Sequence, residues 1–187
     1  MIPDVTGTFF IRFFPLLAAL ALAAAIDAKQ RRIPNWLTFS LLLAGILRAG
    51  LTGGAAGLAV SGEGIAVGAA VPLALFAIGA LGGGDVKLMG AIGAWLGPGP
   101  AFAVYLTQAV IGLGIVLIQA LMQGRTRALF RNTVVIAAGF ACVPELGLGQ
   151  AVQNGKQCRS IDRPLPYAVP VFVATVIVLA LSRLVGR

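Results

Sequence analysis

Long apolar runs, separated by short segments that carry most of the charge, restrict what this chain can fold into. The runs cover residues 5–26, 33–51, 65–81, 101–122 and 167–184. A helix of about 20 apolar residues crosses the hydrocarbon core of a bilayer. Lipid offers no hydrogen bonds to the backbone, so segments that cross it fold as helices or closed barrels. Runs of this length predict an all-α, polytopic membrane helix bundle.

Length and composition limit how many domains the chain can hold. Of its 187 residues, 59% are apolar and only 11% are charged. At ~20 residues per span, about six transmembrane helices with short connections use up the sequence. No room remains for a sizeable soluble domain, so we expect one transmembrane domain over residues 1–187.

The net charge of +8 is explained by membrane topology, without a nucleic-acid partner. Ten of the fourteen Lys and Arg residues lie in the short connections 29–32, 87, 125–131 and 156–163. Such clustering is typical of cytoplasmic loops. Because positive charge follows the first apolar run instead of preceding it, we interpret this run as an uncleaved helix and not as a signal peptide. Residues 27–35 are then cytoplasmic.

Alternation of the spans predicts the remaining topology. The second span begins with Pro34 in its first turn and ends at a glycine-rich, non-cytoplasmic loop over residues 52–64. The third span returns the chain to the cytoplasmic face. The fourth helix starts at residue 85 and, at about 18 Å, is short for a crossing. Residues 133–143 are too few to cross, so we interpret them as interfacial or re-entrant.

Two aspartates, Asp27 and Asp85, end apolar runs on the same predicted face. Ionisable groups in such places indicate function. When two carboxylates are close, one retains a proton while the other stays charged. The charged one accepts a proton from water and the protonated one polarises a carbonyl, as in aspartic proteolysis. Individually, Asp27 also fits an interfacial residue, Asp85 a helix cap, and Lys87 a snorkelling side chain.

The sequence offers few residues that could support metal-dependent or redox catalysis. The chain has no histidine, and its two cysteines, Cys142 and Cys158, lack the spacing of a metal or redox pair. We therefore expect no metal and no cofactor. Arg12, Arg48 and Arg183 lie near predicted outer helix ends, where arginines snorkel to the interface.

Three motifs together resemble those of a known family. The first is Asp27-Ala-Lys-Gln-Arg-Arg-Ile-Pro34-Asn35, and the second is Gly82-Gly-Gly84-Asp85-Val-Lys87-Leu. They are similar to the motifs of the type IV prepilin peptidases, which are membrane aspartic peptidases with a GxGD signature. The third, Pro166-Tyr167-Ala168, resembles their Pro-Tyr-Gly motif with alanine in place of glycine.

The resemblance implies that the chain removes prepilin leaders at the cytoplasmic face of the bacterial inner membrane. It implies Asp27 and Asp85 as the catalytic pair, with Gly82, Gly84, Lys87, Pro34 and Asn35 shaping the site. Because Asp27 lies close to Met1, the chain resembles the compact branch that serves Flp pili. A small proton-coupled transporter and a non-catalytic pilus-assembly component remain alternatives, and the oligomeric state stays open.

Overall fold

A computed structural model describes residues 5–77, 81–122 and 166–185 as a bundle of five α-helices, with no strand in these ranges. The helices are α1 (Val5–Gln30), α2 (Asn35–Ala77), α3 (Gly83–Leu96), α4 (Pro98–Met122) and α5 (Ala168–Val185). The predicted all-α fold class is confirmed. The prediction for residues 133–143 lies outside the described residues.

Three segments are long and apolar enough to cross a membrane: Arg12–Gln30, Asn35–Ala77 and Pro98–Gln119. A shorter apolar helix covers Ala168–Leu184. Large apolar side chains on the bundle surface are exposed, including Leu47, Leu51, Val110, Leu113 and Leu121. Such a surface is stable in lipid and not in water. The chain is a membrane protein, and the expected total of about six spans stays a prediction.

The predicted loop over residues 52–64 is wrong, because this segment is almost entirely helical. The helix breaks only at Gly54, where φ is 58° and ψ is −139°. Glycine adopts this conformation without the steric penalty that a Cβ imposes. The chain reverses there, since Gly50 faces Leu58 and Gly57 approaches the carbonyl of Ala49. Thus α2 is a helical hairpin with halves 35–53 and 55–77.

Helix α3 is a short core helix enclosed by the two halves of α2. Its residues 88–95 are all buried. Polar side chains of α2 donate hydrogen bonds to carbonyls at the end of α3, which have no partner within that helix. Ser61 Oγ donates to the Ala94 carbonyl at 3.1 Å, and Arg48 Nη1 donates to that of Trp95 at 3.1 Å.

The helices place two sets of residues at opposite ends of the bundle. Asp27, Asn35 and Asp85 lie at the end of α1 and at the starts of α2 and α3. Arg12 and Arg48 lie about 20 Å further along their helices, given 1.5 Å per residue. The core between the two ends is formed by apolar side chains from all five helices, among them Leu20, Leu41, Met89, Ile92, Val104 and Val171.

Candidate active site

A cavity of about 360 Å³ opens at the end of the bundle where α1 ends and α3 begins. Both predicted catalytic residues, Asp27 and Asp85, line it. The remaining wall residues come from the segment after α1, the glycine motif and the start of α5: Arg31, Arg32, Ile33, Asn35, Gly82, Gly84, Pro166 and Tyr167. The structure therefore brings all three sequence motifs to one cavity.

Asp27 is almost completely buried, with 5% of its surface exposed. It lies within α1, which continues to Gln30, four residues past the predicted end. Its Oδ2 accepts a hydrogen bond of 2.9 Å from the backbone N–H of Ala168. That N–H belongs to the first turn of α5 and has no acceptor within the helix. The third motif thus holds Asp27 through a backbone N–H, which glycine and alanine supply equally well.

Asp85 occupies the first turn of α3 and folds back toward the residue that precedes the helix. Its Oδ2 accepts a hydrogen bond of 3.1 Å from the Gly82 backbone N–H, and its own N–H donates to the Gly82 carbonyl at 3.1 Å. A carboxylate in the first turn also interacts favourably with the helix dipole. Asp85 therefore caps α3 and faces the cavity at the same time.

The environment of Asp85 favours its protonated form. Asp85 lies at the open end of the bundle, outside the three segments that are long and apolar enough to cross a membrane. Burial raises the pKa of Asp85 to about 6; the Gly82 hydrogen bond opposes this shift and the nearby charge of Asp27 adds to it. A carboxyl with such a pKa exchanges its proton close to physiological pH.

Gly84 brings the second motif against the first. A Cβ at Gly84 would lie 3.4 Å from Cβ of Ile33, in the segment between α1 and α2. On the outer side, Lys87 Nζ donates to Asn35 Oδ1 at 3.0 Å and lies 5.1 Å from the ring centre of Phe39. Lys87 does not line the cavity, so its contact with Asn35 fixes one wall from outside.

The segment from α1 to α2 turns sharply at Arg31. This residue adopts a φ of 53°, a left-handed conformation that is uncommon for residues other than glycine, and its N–H donates to the Asp27 carbonyl at 2.8 Å. Pro34 lies just before α2, and its carbonyl accepts from the N–H groups of Leu37 and Thr38. Pro34 does not line the cavity but determines where α2 begins.

A tyrosine and a glutamine complete the site, and the sequence had given the glutamine no role. Gln108 is buried in α4, and its Nε2 donates to the Tyr167 hydroxyl at 3.2 Å. Burial, together with the nearby Asp85 charge, raises the pKa of Tyr167, so its hydroxyl stays protonated. Because the amide donates, the hydroxyl hydrogen remains available to an acceptor in the cavity. The sequence feature that could have indicated this role is an amide side chain within an otherwise apolar helix.

Among residues 5–77, 81–122 and 166–185, no group of three or more His, Cys, Asp or Glu side chains could hold a metal ion. Two carboxylates contribute to the cavity, beside two arginines that repel cations. The residues present therefore suit proton transfer between carboxyl groups and water.

Comparison with known proteins identifies a family for this chain. Residues 14–117 match the type IV leader peptidase family, and this region holds both aspartates and the first two motifs. No curated protein and no solved structure matches the chain. The match extends over more than half of the sequence. The chain belongs to the type IV leader peptidase family, and it is a peptidase.

Proposed function

We propose that the chain is an aspartic endopeptidase that removes the leader peptides of Flp-type prepilins, with Asp27 and Asp85 activating water. The observation that carries this proposal is the presence of both carboxyl groups in one open cavity, each held by a backbone N–H. Backbone donors keep the oxygens in place while protons move, which lowers the cost of reorganisation during the reaction.

The two carboxyl groups differ in their surroundings, and we assign their roles from that difference. Asp85, whose pKa is raised to about 6, holds the shared proton and donates it to the carbonyl oxygen of the scissile peptide. Asp27 accepts a hydrogen bond from Ala168 and takes the proton from the attacking water. The pair thereby divides the work of acid and base.

The proton transfers balance over the reaction. Water attacks the peptide carbon as Asp27 takes one of its protons and Asp85 protonates the carbonyl oxygen, which gives a tetrahedral diol. Asp27 then gives its proton to the leaving nitrogen, the C–N bond breaks, and Asp85 recovers a proton from the diol. The products are an acid and an amine, and both carboxyl groups return to their initial state.

Tyr167 is our candidate for stabilising the charge that develops on the substrate. Tyr167 lines the cavity, and its hydroxyl keeps its hydrogen because Gln108 donates to the hydroxyl oxygen. A hydrogen bond from this hydroxyl to the carbonyl oxygen strengthens as negative charge develops on that oxygen. Gln108 does not line the cavity, so we assign it a positioning role through Tyr167.

The orientation and the substrate class belong to the same proposal. Lys29, Arg31 and Arg32 lie at the end of the bundle that carries the cavity, and positive residues favour the cytoplasmic side. We therefore place the cavity at the cytoplasmic face of the bacterial inner membrane. The choice of Flp-type prepilins rests on the resemblance to the compact branch of the family.

Cleavage by the purified protein tests the proposal directly. The full-length chain is incubated in detergent with a short-leader Flp-type prepilin, and leader removal is followed by mass spectrometry. Asp27→Asn and Asp85→Asn keep an acceptor oxygen for Ala168 and Gly82 but lose proton transfer, and we expect each to reduce turnover by about 10²- to 10⁴-fold. The double variant should be no slower than the slower single one, because the two groups act as a unit.

Glu63 provides the matched control. It is the third carboxylate within the described ranges, is exposed on α2 and lies away from the cavity. Glu63→Gln should cleave at the wild-type rate. Near-normal turnover by Asp27→Asn or Asp85→Asn, at wild-type expression and thermal stability, would show that the aspartate pair is not the catalyst.

A further inference from the structure

A second cavity, of about 490 Å³, lies at the opposite end of the bundle from the aspartates. It is formed by α1, by both halves of α2 near the Gly54 turn and by the end of α3. Its wall includes the polar residues Arg12, Arg48 and Ser61 beside Phe13 and Trp95. The proposed peptidase chemistry makes no use of this cavity.

Two guanidinium groups converge on the same aromatic wall. The Arg12 guanidinium carbon lies 5.9 Å from the ring centre of Phe13, and that of Arg48 lies 5.2 Å from the same ring and 5.3 Å from the ring of Trp95. Aromatic faces attract and orient cations. The sequence had indicated two independent snorkelling residues, whereas the structure places them in one cavity.

The positive charge of this cavity has no counter-charge within the described part of the chain. Neither guanidinium forms an ion pair there, and the three described carboxylates, Asp27, Glu63 and Asp85, do not line the cavity. Arg48 uses one N–H on the Trp95 carbonyl. Since a guanidinium carries five N–H donors, both groups keep donors for a ligand.

Like charges held close together repel, and the repulsion grows when water is scarce. An oxyanion between the two groups would remove this repulsion and accept hydrogen bonds from both, because the guanidinium fork matches phosphate geometry. We propose that the cavity binds a phosphate-bearing anion, and that its source is the headgroup of an anionic phospholipid in the leaflet opposite the aspartates.

The position of the cavity favours a lipid as the source. Arg12 and Arg48 lie about 20 Å along their helices from the aspartate end, whereas a hydrocarbon core measures ~30 Å. If the aspartate end lies at one boundary of this core, the cavity lies within about 10 Å of the other boundary. Arginine side chains reach across part of that distance toward the headgroups. The cavity wall also contains the apolar side chains Phe13, Val60 and Leu96, which suit an acyl chain beneath a phosphate. This inference does not depend on the peptidase proposal.

Quenching of Trp95 fluorescence measures binding at this cavity. The chain has two tryptophans, and Trp36→Phe removes the exposed one at the other end, leaving Trp95 as the reporter. The full-length variant in neutral detergent is titrated with phosphatidylglycerol that carries brominated acyl chains. Diacylglycerol with the same brominated chains is the phosphate-free comparison, and inorganic phosphate is the competitor.

We expect saturable quenching by the phospholipid, and about tenfold weaker binding of the diacylglycerol, since the phosphate supplies the charge-assisted hydrogen bonds. In the same background, Arg12→Gln and Arg48→Gln should each weaken phospholipid binding by about tenfold. Arg183→Gln is the matched control, because Arg183 lies at the same end but does not line the cavity. It should bind as the parent does.

The competitor identifies the source of the anion. If inorganic phosphate fails to displace the phospholipid, the lipid headgroup is the ligand. If it displaces the phospholipid and binds at least as tightly, the site takes free phosphate and the lipid assignment is wrong. Equal quenching by phospholipid and diacylglycerol, or unchanged phospholipid binding by a folded Arg12→Gln variant, would overturn the phosphate site altogether.

Discussion

Glycine at position 82 leaves space for the Asp85 carboxylate, whereas its backbone conformation does not require glycine. Its φ of −84° and ψ of 149° are open to any residue. A Cβ at this position, however, would lie 3.2 Å from Asp85 Oδ2. The missing side chain therefore lets the carboxylate fold back onto the Gly82 N–H. Gly84 differs, because a Cβ there would make only ordinary van der Waals contact with Ile33, at 3.4 Å.

The pH dependence of cleavage should report the ionisation of Asp85. Its pKa is raised to about 6, so the protonated form that we assign as the acid declines as the pH rises above that value. We expect kcat/KM to fall on the alkaline side with an apparent pKa near that of Asp85, measured from about pH 5 to about pH 8. A rate that rises throughout this range would contradict the assignment of Asp85 as the acid.

Removing the Tyr167 hydroxyl should slow chemistry more than it weakens substrate binding. Tyr167→Phe keeps the ring and loses the donor, and we expect kcat to fall by about 10²- to 10³-fold with little change in KM. Gln108→Leu should cause a smaller loss of kcat in otherwise normal protein. Combined with Tyr167→Phe it should add nothing, and an additive effect would show that Gln108 does not act through Tyr167.

At the scale of elements, contact between α2 and α3 depends on glycines that face one another. A Cβ at Gly64 would collide with the Gly93 carbonyl, and one at Gly68 would meet the carbonyl of Met89 at 2.6 Å. Backbones without side chains approach closely enough to pack without lipid between them. The second half of α2 thereby holds α3, and with it Asp85, inside the bundle.

Two alanine substitutions in the same helix should have opposite effects on stability. Gly64→Ala should destabilise the protein by about 1–3 kcal/mol, because the collision with Gly93 forces the helices apart. Gly62 has open space around its Cβ position, so Gly62→Ala should stabilise by about 0.5–1 kcal/mol through the better helix propensity of alanine. Thermal unfolding in detergent measures both, and equal effects would show that the contact is not tight.

At the scale of the whole molecule, the hairpin of α2 predicts which residues face opposite sides of the membrane. In a Cys142→Ser/Cys158→Ser background, Lys29→Cys should react with an impermeant maleimide only in inverted vesicles. Gly53→Cys, which is exposed beside the Gly54 turn, should react only in right-side-out spheroplasts. Labelling of both positions from one side would exclude the hairpin as a crossing. Retained cleavage by the background protein verifies its fold.

The sequence by itself determined the fold class and the two residues around which the candidate site is built. Apolar runs of span length leave few structures other than a helix bundle, and this information is local to each segment. Asp27 and Asp85 stood out because an ionisable group at the end of an apolar run is costly unless it has a function. Both inferences required only the order of the residues along the chain.

Other features were decided only by tertiary structure, because they depend on which helices touch. Residues 52–64 resembled a loop by composition, yet the segment is helical apart from Gly54, and Gly64 packs against α3 at its end. The bond from Ala168 to Asp27 joins residues 141 positions apart. The convergence of Arg12 and Arg48 likewise follows from the reversal of the chain between α1 and α2, near Arg31. Sequence spacing carries no information about such contacts, since they arise from helices that meet after the chain has folded.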